Sequence, residues 1–122
     1  MRVKKSFTFE AAHRLPHLPA EHKCSRLHGH SYKALLTYEG MEDPHTGFVI
    51  DYADITVCWD AKCEPFLDHH YLNETLNTDH TTSEYLAKWI WRRMTMLDCD
   101  NAELVEVEVQ ENRTAGSIYN GG

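Results

Sequence analysis

No long hydrophobic run exists in this chain. Among its 122 residues, no more than three apolar ones stand together, as at Ala34–Leu36, Phe48–Ile50 and Trp89–Trp91. A bilayer-spanning helix needs about 20, so no such helix and no membrane partner are expected. The basic residues Arg2, Lys4 and Lys5 lead into alternating residues, not into the apolar stretch of a secretory signal, and the expectation is a cytoplasmic protein. Glycine (6) and proline (4) are scarce, which excludes collagen-like and low-complexity chains. With 42% hydrophobic and 25% charged residues the sequence reads as one packed domain, 1–122, too short for two separate cores. Cysteine is limited to Cys24, Cys58, Cys63 and Cys99, without a C-x-x-C pair, so a disulfide framework is not expected in a reducing compartment. Positive charge is also short: the formal net of -7 argues against general nucleic-acid binding. That deficit is uneven, because residues 1–33 hold seven basic and two acidic side chains while 34–122 hold five and seventeen. A small anionic substrate could be drawn to the N-terminal part; a solvated surface of mixed sign is the plainer reading.

What is abundant is histidine, nine in all, grouped as His13, His17, His22, His28, His30 and then His69, His70. Phe7, Phe9 and Ala11 alternate with Ser6, Thr8 and Glu10, the period of a half-buried strand, and His13 falls on the buried parity. His28, His30, Tyr32, Ala34, Leu36 and Tyr38 share one parity of a second strand, paired antiparallel to the first across a long loop, 14–27. Residues 51–67 have Ile55, Cys58, Trp59 and Phe66 near helical spacing, with Pro65 close to the end. A second helix follows a Thr82 or Ser83 cap, with Leu86, Trp89, Ile90, Arg93, Met94 and Leu97 as its apolar stripe. Val105, Val107 and Val109 alternate with acidic and amide residues in a third strand whose parity continues to Glu111, and a short fourth strand covers 117–119. The predicted class is therefore α+β: a four-stranded antiparallel sheet with two helices on one face, in the order ββααββ. Such a sheet leaves one face and both edges uncovered, which predicts a homo-oligomer.

Four groups of residues could carry chemistry. His28 and His30, two apart on a strand, share a face about 6.6 Å apart along the chain, within reach of one metal. His13 at the end of the neighbouring strand is a natural third ligand, and Gly29 would let the backbones approach. Three histidines without a fourth protein ligand describe a catalytic zinc site; two hydrogen-bonded strand histidines are the alternative. Cys24 lies four residues before His28, between Lys23 and Arg26, and nearby cations lower a thiol pKa, although an isolated loop cysteine is commonly inert. Cys58, Cys63 and Cys99 read as inert, the first two as small apolar residues of the first helix. Asp68 could orient His69 for acid–base work, if the two adjacent side chains touch. Glu111, at the rim of an apolar face, either anchors a guanidine-like edge of a heterocycle through two N–H groups or frays into solvent.

Taken together, Phe7-x-Phe9-x-Ala11-Ala12-His13-Arg14-Leu15, Cys24-x-x-x-His28-Gly29-His30-Ser31-Tyr32, Leu67-Asp68-His69-His70-Tyr71-Leu72-Asn73, Thr82-Ser83-Glu84 and Glu111 resemble the 6-pyruvoyltetrahydropterin synthase family. The likeness runs from residue 3 to about 119. The three residues between Cys24 and His28 look like its bacterial branch, which forms 6-carboxytetrahydropterin for 7-deazaguanine (queuosine) synthesis. A cysteine at position 24 disfavours the branches that carry Glu there, and Ser117 stands where relatives often have cysteine. The resemblance implies the tunnelling fold and zinc at His13, His28 and His30. It also implies Cys24 as the proton-abstracting residue, Asp68 and His69 as its acid–base partners, and Glu111 as the pterin anchor helped by Thr82, Ser83 and Glu84. The implied reaction takes 7,8-dihydroneopterin triphosphate to 6-carboxy-5,6,7,8-tetrahydropterin, acetaldehyde and triphosphate, with Arg14, Lys23 and Arg26 as candidate triphosphate contacts. The implied assembly is a hexamer of two trimers with sites between subunits. A pyruvoyl-forming triphosphate lyase and a zinc- or pterin-binding module without turnover are the alternatives.

Overall fold

Two long strands set the frame. In the computed structural model, which describes residues 1–99 and 101–122, β1 (Arg2–His13) pairs antiparallel with β2 (His28–Gly40) from Arg2↔Glu39 to His13↔His28. Alternation decides which side is covered: Phe9, Ala11, His13, Tyr32, Ala34, Leu36 and Tyr38 are buried, while Thr8, Glu10, Ser31 and Lys33 are exposed. The long loop between the strands holds one short 3-10 turn, Lys23–Ser25. Against the covered face lie α1 (Tyr52–Lys62), capped by Asp51, and α4 (Ser83–Met94), capped by the Thr82 side chain. Ile55, Trp59, Leu86, Ile90 and Met94 complete one core with the strand residues. The Trp59 ring stacks on Phe7 at 4.4 Å and 3°. No helix among the described residues is long and apolar enough to cross a membrane.

Three expectations need correction. The sheet has five strands and is mixed, in the order β3 (His70–Tyr71), β1, β2, β4 (Ala102–Gln110), β5 (Gly116–Tyr119). The unforeseen strand is β3 (His70–Tyr71), which runs parallel to β1 through Ala11↔His70 and Ala12↔Tyr71. A two-residue strand leaves no period to read, and the free edge of β1 captures it. The single helix expected over 51–67 is instead α1 and α2 (Glu64–Leu67), broken at Cys63, and α3 (Leu72–Thr75) adds another short turn before α4. Pro65, in the first turn of α2, has no N–H to continue the helix before it. Lastly, Val105 does not share a face with Val107 and Val109. In β4 (Ala102–Gln110), Glu106 pairs with Thr37 and Leu104 with Tyr38, so Val105 is the extra residue of a β-bulge. Leu104 takes the buried place. After the bulge the parity holds through Gln110, and β5 (Gly116–Tyr119) closes the order. A side chain at Gly116 would meet the Val109 carbonyl at 2.5 Å, so the tight pairing there requires glycine.

Candidate active site

The pairing of β1 with β2 brings three imidazoles together at one end of the sheet. His13 and His28 are register partners and His30 is two residues on, which places the ring centres 4.5, 4.9 and 5.1 Å apart. One ligand atom from each lies within 4.8 Å of the others. The rings meet edge to face, at 65° to 89°, rather than stacking. Backbone carbonyls fix two of them: His13 Nδ1 donates to the Thr81 carbonyl at 2.7 Å and His28 Nδ1 donates to that of Arg26 at 2.7 Å. A proton on Nδ1 leaves Nε2 as a bare lone pair. The Nε2 of His13 is buried and finds no hydrogen-bond partner among the described residues, a costly arrangement that a bound cation would relieve. Gly29 is not needed for the approach, since a Cβ there would sit 3.4 Å from the Ala11 carbonyl, an ordinary contact.

Electrostatics favours the metal-ready form. Burial lowers the His13 pKa, the Thr81 carbonyl and Glu111 opposing it while His28 and His30 add to it. His30 is lowered by burial as well, against the pull of Glu111. Neutral imidazoles are the form that coordinates. Glu111 therefore lies close enough to act on both rings and on Tyr32, whose phenol is raised first by burial and then by this carboxylate. It remains half-buried just past β4, its N–H donating to the Ala115 carbonyl at 3.1 Å. The three imidazoles and the uncompensated Nε2 fit a bound metal ion.

Cys24 joins this group: an open cavity of about 410 Å³ is lined by Lys23, Cys24, Arg26, Leu27, His28 and His30. Its thiol is partly exposed, whereas burial raises the Cys58 thiol and pushes that of Cys63 up to about 12. Lys23 and Arg26 thus share the cavity with the thiol, while Arg14 turns away, its Nε donating to the Ser25 carbonyl at 3.2 Å.

Asp68 and His69 do touch: Asp68 Oδ2 lies 3.0 Å from His69 Nδ1, and its Oδ1 accepts the Glu10 N–H at 3.0 Å. The Glu10 N–H, then His69, hold the Asp68 carboxyl below its ordinary range. His69 has φ of 60°, the left-handed region, and is kept there by donating its N–H to the Glu10 carbonyl as the chain joins β1. This dyad does not meet Cys24 within the chain. His69 opens instead onto a second cavity with Glu10, Ala11, Ala12, Gly29 and Ser31, and among the described residues His30 alone borders both. Thr82 is occupied as the cap of α4, accepting the Tyr85 N–H at 3.2 Å. The hydroxyls of Ser83 and Ser117 are 2.7 Å apart, and Ser83 Oγ donates to Glu84 at 3.2 Å.

Two supporting residues had no role on sequence grounds. Asn73 clamps the end of β1, its Oδ1 accepting the Arg14 N–H and its Nδ2 donating to the Arg14 carbonyl. It also accepts from Thr81 Oγ1 at 3.1 Å, and Thr81 is the fully buried residue whose carbonyl orients His13. Asn73 ends one of the quoted motifs and falls in the one-turn helix α3, and Thr81 stands just before the Thr82-Ser83-Glu84 motif; neither position has a period that would assign it a role.

Known proteins share this fold. The family model described as 6-pyruvoyl tetrahydropterin synthase matches residues 2–122. A 6-carboxy-5,6,7,8-tetrahydropterin synthase of Synechocystis is 38% identical, with 96% of this chain and 91% of that protein covered. A human 6-pyruvoyl tetrahydrobiopterin synthase is 29% identical over 98% of this chain and 91% of its own. The solved structure of the Caenorhabditis elegans 6-pyruvoyl tetrahydropterin synthase superposes with a TM-score of 0.87 at 25% identity, covering 100% of this chain and 96% of that one. With this fold, five-stranded and mixed, and this histidine cluster, the chain belongs to the 6-pyruvoyl tetrahydropterin synthase family and is one of its enzymes.

Proposed function

We propose that this enzyme is a zinc-dependent lyase that converts 7,8-dihydroneopterin triphosphate and water to 6-carboxy-5,6,7,8-tetrahydropterin, acetaldehyde and triphosphate, a step toward 7-deazaguanine. The observation that carries the reading is the cavity where Cys24 stands beside His28 and His30. The Synechocystis relative, a 6-carboxy-5,6,7,8-tetrahydropterin synthase, supports the carboxy product. His13, His28 and His30 would hold zinc, which supplies Lewis-acid polarisation of the substrate's side-chain oxygens. The Cys24 thiolate takes the proton from the side-chain carbon next to the ring, in the cavity that Lys23 and Arg26 also line. Glu111 accepts from the pterin N–H edge, and Thr82, Ser83 and Glu84 border that end. His69, oriented by Asp68, relays protons as triphosphate leaves and the carbon–carbon bond breaks.

Cys24 and His69 border different cavities. That separation supports a site assembled between subunits, the Cys24 of one chain facing the Asp68–His69 pair of a neighbour in a hexamer of two trimers. Purified protein with zinc and dihydroneopterin triphosphate tests the reading. Acetaldehyde in equal amount to triphosphate is the expected result, with the carboxypterin seen by mass. The second reading, favoured by the human relative, is a pyruvoyl-forming lyase, which releases triphosphate without acetaldehyde and would replace the first.

A further inference from the structure

Outside the triad, one other pair of imidazoles among the described residues meets across the fold. His17, in the loop between β1 and β2, and His80, just before α4, have ring centres 4.6 Å apart at 45°. Both are exposed. With a metal–nitrogen bond of about 2.1 Å, two imidazoles on adjacent coordination positions place their ring centres about 4.5 to 5.2 Å apart. The triad itself spans 4.5 to 5.1 Å, so the second pair already has a chelating separation, and the 45° tilt is not that of stacked rings.

The backbones that present the two rings are tethered. Pro16 and Pro19 flank His17, Leu18 N–H donates to the Leu15 carbonyl, and Leu15 N–H to that of Cys24. On the other side, the His80 N–H donates to Thr78 Oγ1 at 3.2 Å. Short tethers lower the entropy lost when two side chains are held on one ion. We infer that His17 and His80 form a second metal site, an open bis-imidazole chelate for a divalent ion of the zinc, nickel or copper class, completed by water. Its place gives it a consequence. One ligand sits on the loop that carries Cys24 and the Arg26 carbonyl partner of His28; the other is next to Thr81, the carbonyl partner of His13. An ion here would pin together the two segments that orient the triad.

The inference does not depend on which reaction the enzyme performs, and a substrate-free titration tests it. In calorimetry with nickel(II) chloride, wild-type protein binds one equivalent more than His17→Ala and one more than His80→Asn, whatever the triad holds. Thermal melts confirm that the compared proteins are folded, and both substitutions are at exposed positions. Hydrogen exchange of residues 14–27 slows in wild type on binding the extra equivalent and is unchanged in both variants. Equal stoichiometry in wild type and either variant overturns the site, as does an extra equivalent that leaves exchange of this loop unaltered.

Discussion

At the scale of single residues, the fold separates four thiols by environment. Cys24 is partly exposed on a cavity with two cations, while Cys63 is fully buried and its thiol is pushed up to about 12. Because the thiolate is the reacting form, iodoacetamide on the native protein near neutral pH should label Cys24 and spare Cys63; peptide mapping that finds both equally modified would contradict this. Cys24→Ala should fold, keep zinc and lose about 10²- to 10⁴-fold in turnover, the usual worth of a positioned acid–base group. Single-turnover rates within tenfold of wild type would make the thiol a bystander. Asn73 is a subtler case, since it reaches His13 through Thr81 and through the backbone of the adjoining Arg14. Supporting groups behind a metal ligand typically change affinity about 10- to 100-fold. Asn73→Ala should therefore weaken zinc by at least the lower figure in a chelator competition while leaving secondary structure intact.

The elements show where sequence patterns suffice and where they fail. The cap of α4 was legible because a Thr-Ser pair precedes an apolar stripe, and Thr82 is indeed the residue that accepts the Tyr85 N–H. Thr82→Ala should cost about 1 kcal/mol in chemical denaturation, the usual value of an N-cap; an unchanged midpoint would show that the cap is redundant. The alternation of β1 and β2 likewise placed His13, His28 and His30 on one face, since a strand's parity is fixed once its core residues are known. Periodicity carried no such information for β3, which is two residues long and exists only because β1 offers an unpaired edge. Nor could it see the bulge at Val105, where one extra residue transfers the buried position to Leu104. The touching of Asp68 and His69 was beyond spacing too. It depends on a left-handed backbone at His69 and on the Glu10 N–H and carbonyl that hold this turn.

At the scale of the whole molecule, the sheet is covered by helices on one face and ends in short strands at both edges, β3 with two residues and β5 with four. Ile118 on β5 and Leu27 beside the Cys24 cavity are large apolar side chains left 63% and 65% exposed. Both features are relieved if sheets of neighbouring chains continue one another, which removes edges. They agree with the proposed hexamer of two trimers, and the division of site residues between two cavities gives that assembly a chemical purpose. The consequence can be measured by complementation. Cys24→Ala and His69→Ala should each be inactive as homo-oligomers. Mixed under conditions of subunit exchange, some interfaces would pair an intact Cys24 from one chain with an intact His69 from the other, and activity should return toward about a quarter of wild type if mixing is random. Mixtures that stay as inactive as their components, after exchange has been verified by mass, would place both groups in one chain's own site. Activity of a dilute species that sediments as a monomer would do the same.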